Sequence, residues 1–198
     1  MDKLLSLLIN KLLDEKIIDA EKTEIYRTGF MLMFSDIINI ALIIFAGLVT
    51  KTFVWSVIYL SLMWTIRRFS GGFHAKTYWL CRTVTVGTYI IIMAIGKIIY
   101  DNYILFSSIG CLFCLITMLA FSPVRHPNKE LSATEEKANK LFSLITTFLC
   151  SILSIILSAY KLKIGLIISL TLLAIAILMY VGLLTNRKEG QHAKEDNK

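Results

Sequence analysis

Apolar residues run along this chain in long blocks, and polar residues collect between the blocks. The blocks cover 30–49, 52–66, 83–99, 103–121, 141–160 and 164–185. A bilayer core takes roughly 20 residues of helix, so most blocks have spanning length, while 52–66 is short. Residues 1–20 follow a different rule. Leu4, Leu5, Leu8, Ile9, Leu12 and Leu13 recur at intervals of three and four, with Lys3, Ser6, Asn10, Lys11, Asp14 and Glu15 between them. A helix with one wide apolar face lies along the membrane surface, or packs on the protein's own cytoplasmic side, or does both. The pattern predicts an all-α, polytopic integral membrane protein with about six transmembrane helices plus an N-terminal amphipathic interfacial helix. The single membrane domain, 1–198, divides into a cytoplasmic helix and polar lead-in at 1–29, a bundle at 30–185, and a charged, disordered cytoplasmic tail at 186–198.

Charge gives the blocks a direction. The formal net charge is +7. With the N-terminus in the cytoplasm, the inside segments are 1–29, 67–82, 122–140 and 186–198. They hold 17 of the 21 Lys and Arg, and only Lys51, Lys97, Lys161 and Lys163 fall outside. This bias puts both termini and the stretch 66–82 on the cytoplasmic side of a cell membrane, facing anionic lipid. Cations scattered among loops do not form the single basic face that nucleic acid requires. Asp2, Asp14, Glu15 and Asp19 interrupt the N-terminal apolar pattern, so it does not read as a secretory signal.

Polar residues inside the blocks are few. Asp36 and Asn39 lie one helical turn apart in the first block. A mid-span carboxylate costs about 2.5–3.5 kcal/mol on insertion scales, so Asp36 is expected to face protein or water, with Arg67 or Arg68 as its partner. Lys97 is close enough to the outer end of its block to snorkel. Of the four cysteines, Cys111, Cys114 and Cys150 sit within apolar runs. The Cys111-x-x-Cys114 spacing has no second ligand pair, and both read as small helix- or lipid-facing side chains. No disulfide, metal or cofactor is expected.

The exceptional stretch is Ile66-Arg67-Arg68-Phe69-Ser70-Gly71-Gly72-Phe73-His74-Ala75-Lys76-Thr77-Tyr78-Trp79-Leu80-Cys81-Arg82. A thiol and an imidazole together suit nucleophilic catalysis. On one unbroken helix, His74 and Cys81 would share a face but stand about 10.5 Å apart along the axis. A direct contact therefore requires a break. Gly71, Gly72 and His74 are expected outside the helix, which would start near Lys76 or Thr77 with Cys81 one or two turns inside. A cysteine near a helix N-terminus, beside cations, is favoured as a thiolate. The plain alternatives are a small buried thiol and a solvated loop histidine. His126, in Ser122-Pro123-Val124-Arg125-His126-Pro127-Asn128-Lys129, is a rival base. The stretch is either a loop or a re-entrant segment lining a protein cavity.

Arg67-x4-Gly72-x-His74-x6-Cys81, set between apolar blocks of a basic chain this long, resembles the accessory gene regulator protein B (AgrB) family, with a weaker echo at 122–129. The resemblance implies a membrane cysteine endopeptidase that processes a quorum-sensing propeptide. It implies His74 and Cys81 as the catalytic pair, Arg67 and Gly72 as supporting positions, and a homodimer. The implied substrate has an amphipathic leader, a signal region with Cys or Ser, and an acidic C-terminal tail. Arg67, Arg68, Lys76 and Arg82 are candidate contacts for that tail. Gly71 and Gly72 are candidates for a close approach of peptide backbone, and Asp36 for a supporting role. Phe69, Phe73, Tyr78 and Trp79 would wall a pocket that keeps water out, or serve as interface anchors. A small-peptide transporter is the competing class, although no internal repeat is visible.

Overall fold

The computed structural model describes residues 6, 9, 11, 13, 23–71, 78–99, 102–124 and 132–195. Among the described residues there are six long helices and no strand. They are α1 (Thr23–Val49), α2 (Phe53–Ser70), α3 (Tyr78–Ile98), α4 (Tyr103–Phe121), α5 (Ala133–Ala159) and α6 (Lys163–Glu195). Five of them contain stretches long and apolar enough to cross a membrane: Tyr26–Val49, Trp79–Ile98, Tyr103–Phe121, Ala133–Ala159 and Lys163–Thr185. The sixth, α2, has 18 residues and carries Arg67 and Arg68 in its last turn. The protein is therefore an all-helical, multi-pass membrane protein.

Several boundaries differ from those expected. α1 begins at Thr23, so the polar lead-in is already helical. α2 continues through Arg67 and Arg68, because nothing before Gly71 breaks it. α6 runs on to Glu195, so the segment expected to be disordered is helical that far. A continuing helix satisfies backbone groups that a frayed end would leave open. α5 starts at Ala133, as the helix-prone sequence from Ser132 predicts, because Ser132 and Glu135 form a reciprocal cap: the Ser132 hydroxyl accepts from the Glu135 N–H at 3.3 Å, and the Glu135 carboxylate accepts from the Ser132 N–H at 3.0 Å.

Tight connections join α1 to α2 and α5 to α6, and the two share one geometry. Lys51 and Lys161 adopt left-handed φ values of 57° and 56°. The Thr52 N–H donates to the Gly47 carbonyl at 2.8 Å, and the Lys51 N–H to Leu48 at 3.2 Å. The Leu162 N–H donates to Leu157, and the Lys161 N–H to Ser158, each at 3.0 Å. This is the stop that glycine usually makes. Lysine accepts the left-handed cost of roughly 1–2 kcal/mol, and its charge suits the negative end of the helix dipole.

The core is built around α6. Of its most apolar window 61% is buried, against 22–33% in the other four spans, so it is the central helix. Leu166, Ile167, Leu172, Ile175 and Met179 are buried along it. α5 turns a stripe of Ser143, Thr147, Ser151, Ser154 and Ser158 inward. Hydroxyls then bond across helices: Ser107 with Ser158 at 2.7 Å, Ser122 with Ser143 at 2.8 Å, and Ser154 to the Gly165 carbonyl at 2.7 Å. Between lipid-immersed helices, close approach through small residues takes the place of a hydrophobic driving force. Cys111 and Cys114 are buried in this seam, and the Cys111 thiol lies 4.0 Å from the Ser151 carbonyl. At the N-terminus, Ile9 is buried with Leu13, Phe30, Met31 and Phe34 packed around it. The amphipathic segment therefore docks on the start of α1, with Ser6 and Lys11 exposed.

Two outcomes follow from the hairpins. A Cβ on Gly165 would stand 2.5 Å from the Ser154 carbonyl oxygen and 2.6 Å from the Ser158 nitrogen. Gly165→Ala should lower stability by about 1–3 kcal/mol, measured as a fall in unfolding temperature in detergent. Lys161→Gly relieves the left-handed conformation and should raise stability by roughly 0.5–1 kcal/mol in the same assay.

Candidate active site

The polar stretch leaves α2 at a closely packed point. Ile66 and Ser70 are fully buried. Gly71 follows with φ 70° and ψ −163°, a conformation that side chains oppose. A Cβ there would stand 2.6 Å from the Val124 carbonyl oxygen. The Val124 N–H donates to the Ser70 carbonyl at 2.9 Å. Phe69 packs on Phe142 of α5 with ring centroids 4.1 Å apart. The end of α2 is thus docked against 122–124, the start of the second polar loop. Gly71 needs both its positive φ and its missing side chain.

Cys81 lies in the first described turn of α3, as its fourth residue, and is a half-buried free thiol. Backbone N–H groups in a first turn have no intrahelical partner and point toward incoming negative charge. The Thr85 hydroxyl donates to the Cys81 carbonyl at 2.9 Å. The hydroxyl of Tyr59, fully buried in α2, donates to the Thr85 carbonyl at 2.8 Å. Tyr59 also meets Tyr89 edge-on at 5.5 Å, and the Tyr89 hydroxyl shares a hydrogen bond with Ser56 at 2.8 Å. Cys81, Thr85 and Tyr89, at four-residue steps, share one face of α3, and α2 covers Thr85 and Tyr89 on it.

Arg67 turns toward the bundle. Its charge acts on Asp36 of α1 and on Tyr59. The hairpin explains this: Gly47 packs against Ser56, and counting back along antiparallel helices brings Asp36 level with Arg67. Asp36 itself is exposed at the bundle edge, beside exposed Met33, Ile37 and Ile40. α1 is a peripheral helix, so only one side of it is covered. Inside that edge, the Ser35 hydroxyl and the Asn39 carbonyl oxygen are buried without a partner. By the same register α2 stops about ten residues, or ~15 Å, short of the Thr23 end of α1.

The other arginines face outward. Arg68 lies over the Trp64 ring at 5.9 Å and Arg82 over Trp79 at 5.1 Å. Both indoles are highly exposed, at 70% and 74%. Trp79 is thus an interface side chain and not a pocket wall, and Phe69 is taken up by Phe142. The Nε of Arg82 is buried and unpartnered. Gly72, His74 and Lys76 lie outside the described residues, as do Phe73 and the rival His126. The site residues thus divide. Arg67 meets Asp36, Gly71 meets Val124, and Cys81 is tied through Thr85 to Tyr59, whereas Arg68 and Arg82 stack on their own tryptophans. Among the described residues, no group of three or more His, Cys, Asp or Glu is placed to hold a metal.

Sequence reasoning placed Tyr59 only at an interface or pocket position, and missed Thr85 and Val124. A tyrosine in the middle of an apolar block was the available signal for the first, because a buried phenol requires a hydrogen-bond acceptor. Thr85 follows Cys81 by one helical turn, the spacing at which a hydroxyl bonds back to a carbonyl. Nothing local marks Val124.

The family described as Accessory gene regulator B matches residues 5–181. A relative from Clostridium perfringens, described as putative AgrB-like protein 2, is 26% identical over 165 residues, covering 75% of this chain and 77% of its own. No solved structure matches. The family match runs from the N-terminal segment into α6 and takes in the whole stretch 66–82, so the chain belongs to the accessory gene regulator B family.

Proposed function

We propose that this protein is a membrane cysteine endopeptidase that removes the acidic tail of a quorum-sensing propeptide and promotes closure of the remaining peptide into a ring. Membership of the family supports propeptide processing in general. The observation that carries the finer reading is the placement of Cys81. It is a free, half-buried thiol in the first described turn of α3, one turn before Thr85, whose carbonyl accepts from Tyr59 of α2.

In this reading His74 takes the proton of Cys81, and the sulfur attacks the carbonyl before the tail. The C–S bond forms, the C–N bond breaks, and His74 returns the proton to the leaving amine. The signal region stays on Cys81 as a thioester. A thiol or hydroxyl within the peptide then attacks that carbonyl, closes a thiolactone or lactone, and restores the Cys81 thiol. Water would compete at this step and must be kept out. The propeptide's amphipathic leader lies along the inner membrane surface while Arg68, Lys76 and Arg82 meet the acidic tail. Arg67 has an inward role with Asp36. Both termini and the site face the cytoplasm, where a new propeptide is available.

Co-expression with a propeptide that has an amphipathic leader, an internal Cys and an acidic end tests the chemistry. Cys81→Ala and His74→Ala should each lower cleavage at least about 100-fold, with membrane insertion unchanged and a trapped acyl-enzyme mass seen only when Cys81 is present. Normal cleavage by either variant overturns the pairing. Orientation is tested separately with impermeant maleimide on intact cells. Lys51→Cys and Lys161→Cys should label from outside, and Ser132→Cys only after permeabilisation.

A further inference from the structure

We infer that Tyr59 is a positioning residue for the Cys81 nucleophile, acting through Thr85, and that it sets the height of α3 against α2. The inference rests on the proposed role of Cys81, and Tyr59 itself touches no reacting atom. Three observations carry it.

First, the cysteine-bearing end of α3 has a largely open outer surface. Trp79, Leu80 and Thr83 are exposed, and α3 is among the least buried of the spans. An end so placed slides or tilts easily unless something fixes it, because apolar contact with a neighbouring helix scarcely differs from contact with lipid.

Second, the fixing contacts are directional and adjacent to Cys81. The Tyr59 hydroxyl donates to the Thr85 carbonyl at 2.8 Å, and the Thr85 hydroxyl donates to the Cys81 carbonyl at 2.9 Å. Tyr59 is fully buried and edge-on to Tyr89, so its ring cannot swing away, and Ser56 holds the Tyr89 hydroxyl one turn further on. A slip of α3 by one residue, about 1.5 Å, would break the Tyr59 bond and leave a phenol hydroxyl buried in an apolar seam. The bond therefore selects one register.

Third, α2 is itself fixed at its other end. Ser70 and Gly71 are locked to Val124 by the 2.9 Å bond and the close backbone approach. Tyr59 lies on the same inward stripe of α2 as Met63, Ile66 and Ser70. The register chosen at Tyr59 thus determines how far Cys81 stands from the glycine break. Misplacement of a reacting group by about 1 Å can cost a hundredfold in rate.

The test uses the full chain in detergent and iodoacetamide as the probe, with modification at Cys81 read by mass spectrometry and Cys150 in the same molecule as internal reference. Tyr59→Phe should change the Cys81 alkylation rate at least fivefold relative to Cys150. With propeptide, it should lower kcat about tenfold while leaving KM within about twofold. Tyr89→Phe, which removes the neighbouring hydroxyl bond between α2 and α3, should shift the Cys81 rate in the same direction. Ser107→Ala, which removes an equally buried bond far from α2 and α3, should lower the unfolding temperature and leave the Cys81 rate unchanged. If Tyr59→Phe inserts poorly, Tyr89→Phe decides. A Cys81 rate that is native in Tyr59→Phe, or in Tyr89→Phe where that variant decides, overturns the inference. Cleavage that persists in Cys81→Ala would instead overturn the proposed function, and the alkylation result would still judge the register claim.

Discussion

A helix that ends on a buried residue leaves carbonyl groups that no water can reach, so protein must satisfy them. α2 ends in this way, at Ser70. The carbonyl of Ser70, its last residue, is met by the N–H of Val124, from a loop more than fifty residues further along. Gly71 makes the contact feasible by lacking the Cβ that would strike Val124. The approach of 122–124 to the end of α2 depends on that closure.

The bundle has two halves of different character. α4, α5 and α6 are joined by small residues and a ladder of hydroxyls, with the most buried helix between its neighbours. α1, α2 and α3 hold every residue of the proposed chemistry that the structure describes, and α2 joins the two sets by packing on α5 and α6 as well as on α1. The ties of α2 to α1 and α3 are specific: the charge of Arg67 acts on Asp36, Tyr59 donates to Thr85, Ser56 bonds Tyr89, and Gly47 lies against Ser56. Buried side-chain atoms without a partner occur on both sets of helices: Ser35, Asn39 and Arg82 on α1 and α3, and Thr147 on α5.

Much of the architecture was legible in the sequence because lipid imposes a simple rule on it. A block of apolar residues of sufficient length must be a helix, and the Lys and Arg between blocks give a direction. The amphipathic 1–20 pattern was equally plain, and Ile9 lies where an apolar stripe would put it. Boundaries were less legible. Arg67 and Arg68 look like loop residues, yet α2 keeps them, since long cationic side chains extend from a helix end at little cost. The Cys81 stretch was visible because its composition conflicts with its surroundings. Its supports were not, since Tyr59 and Val124 are ordinary residues until folding brings distant segments together. The serine stripe of α5 was visible in principle, at regular three- and four-residue spacing, but hydroxyls between apolar residues are easily read as tolerated rather than turned inward.

The shortness of α2 bears on the lipid as well as on the protein. Eighteen residues span about 27 Å, less than the roughly 30 Å of a hydrocarbon core, and the last turn already holds two guanidinium groups. The bilayer meets such a mismatch by thinning around the short element. A dimple in the leaflet beside the Arg67–Arg68 end of α2 would bring headgroups down to the level of Trp64 and Arg68.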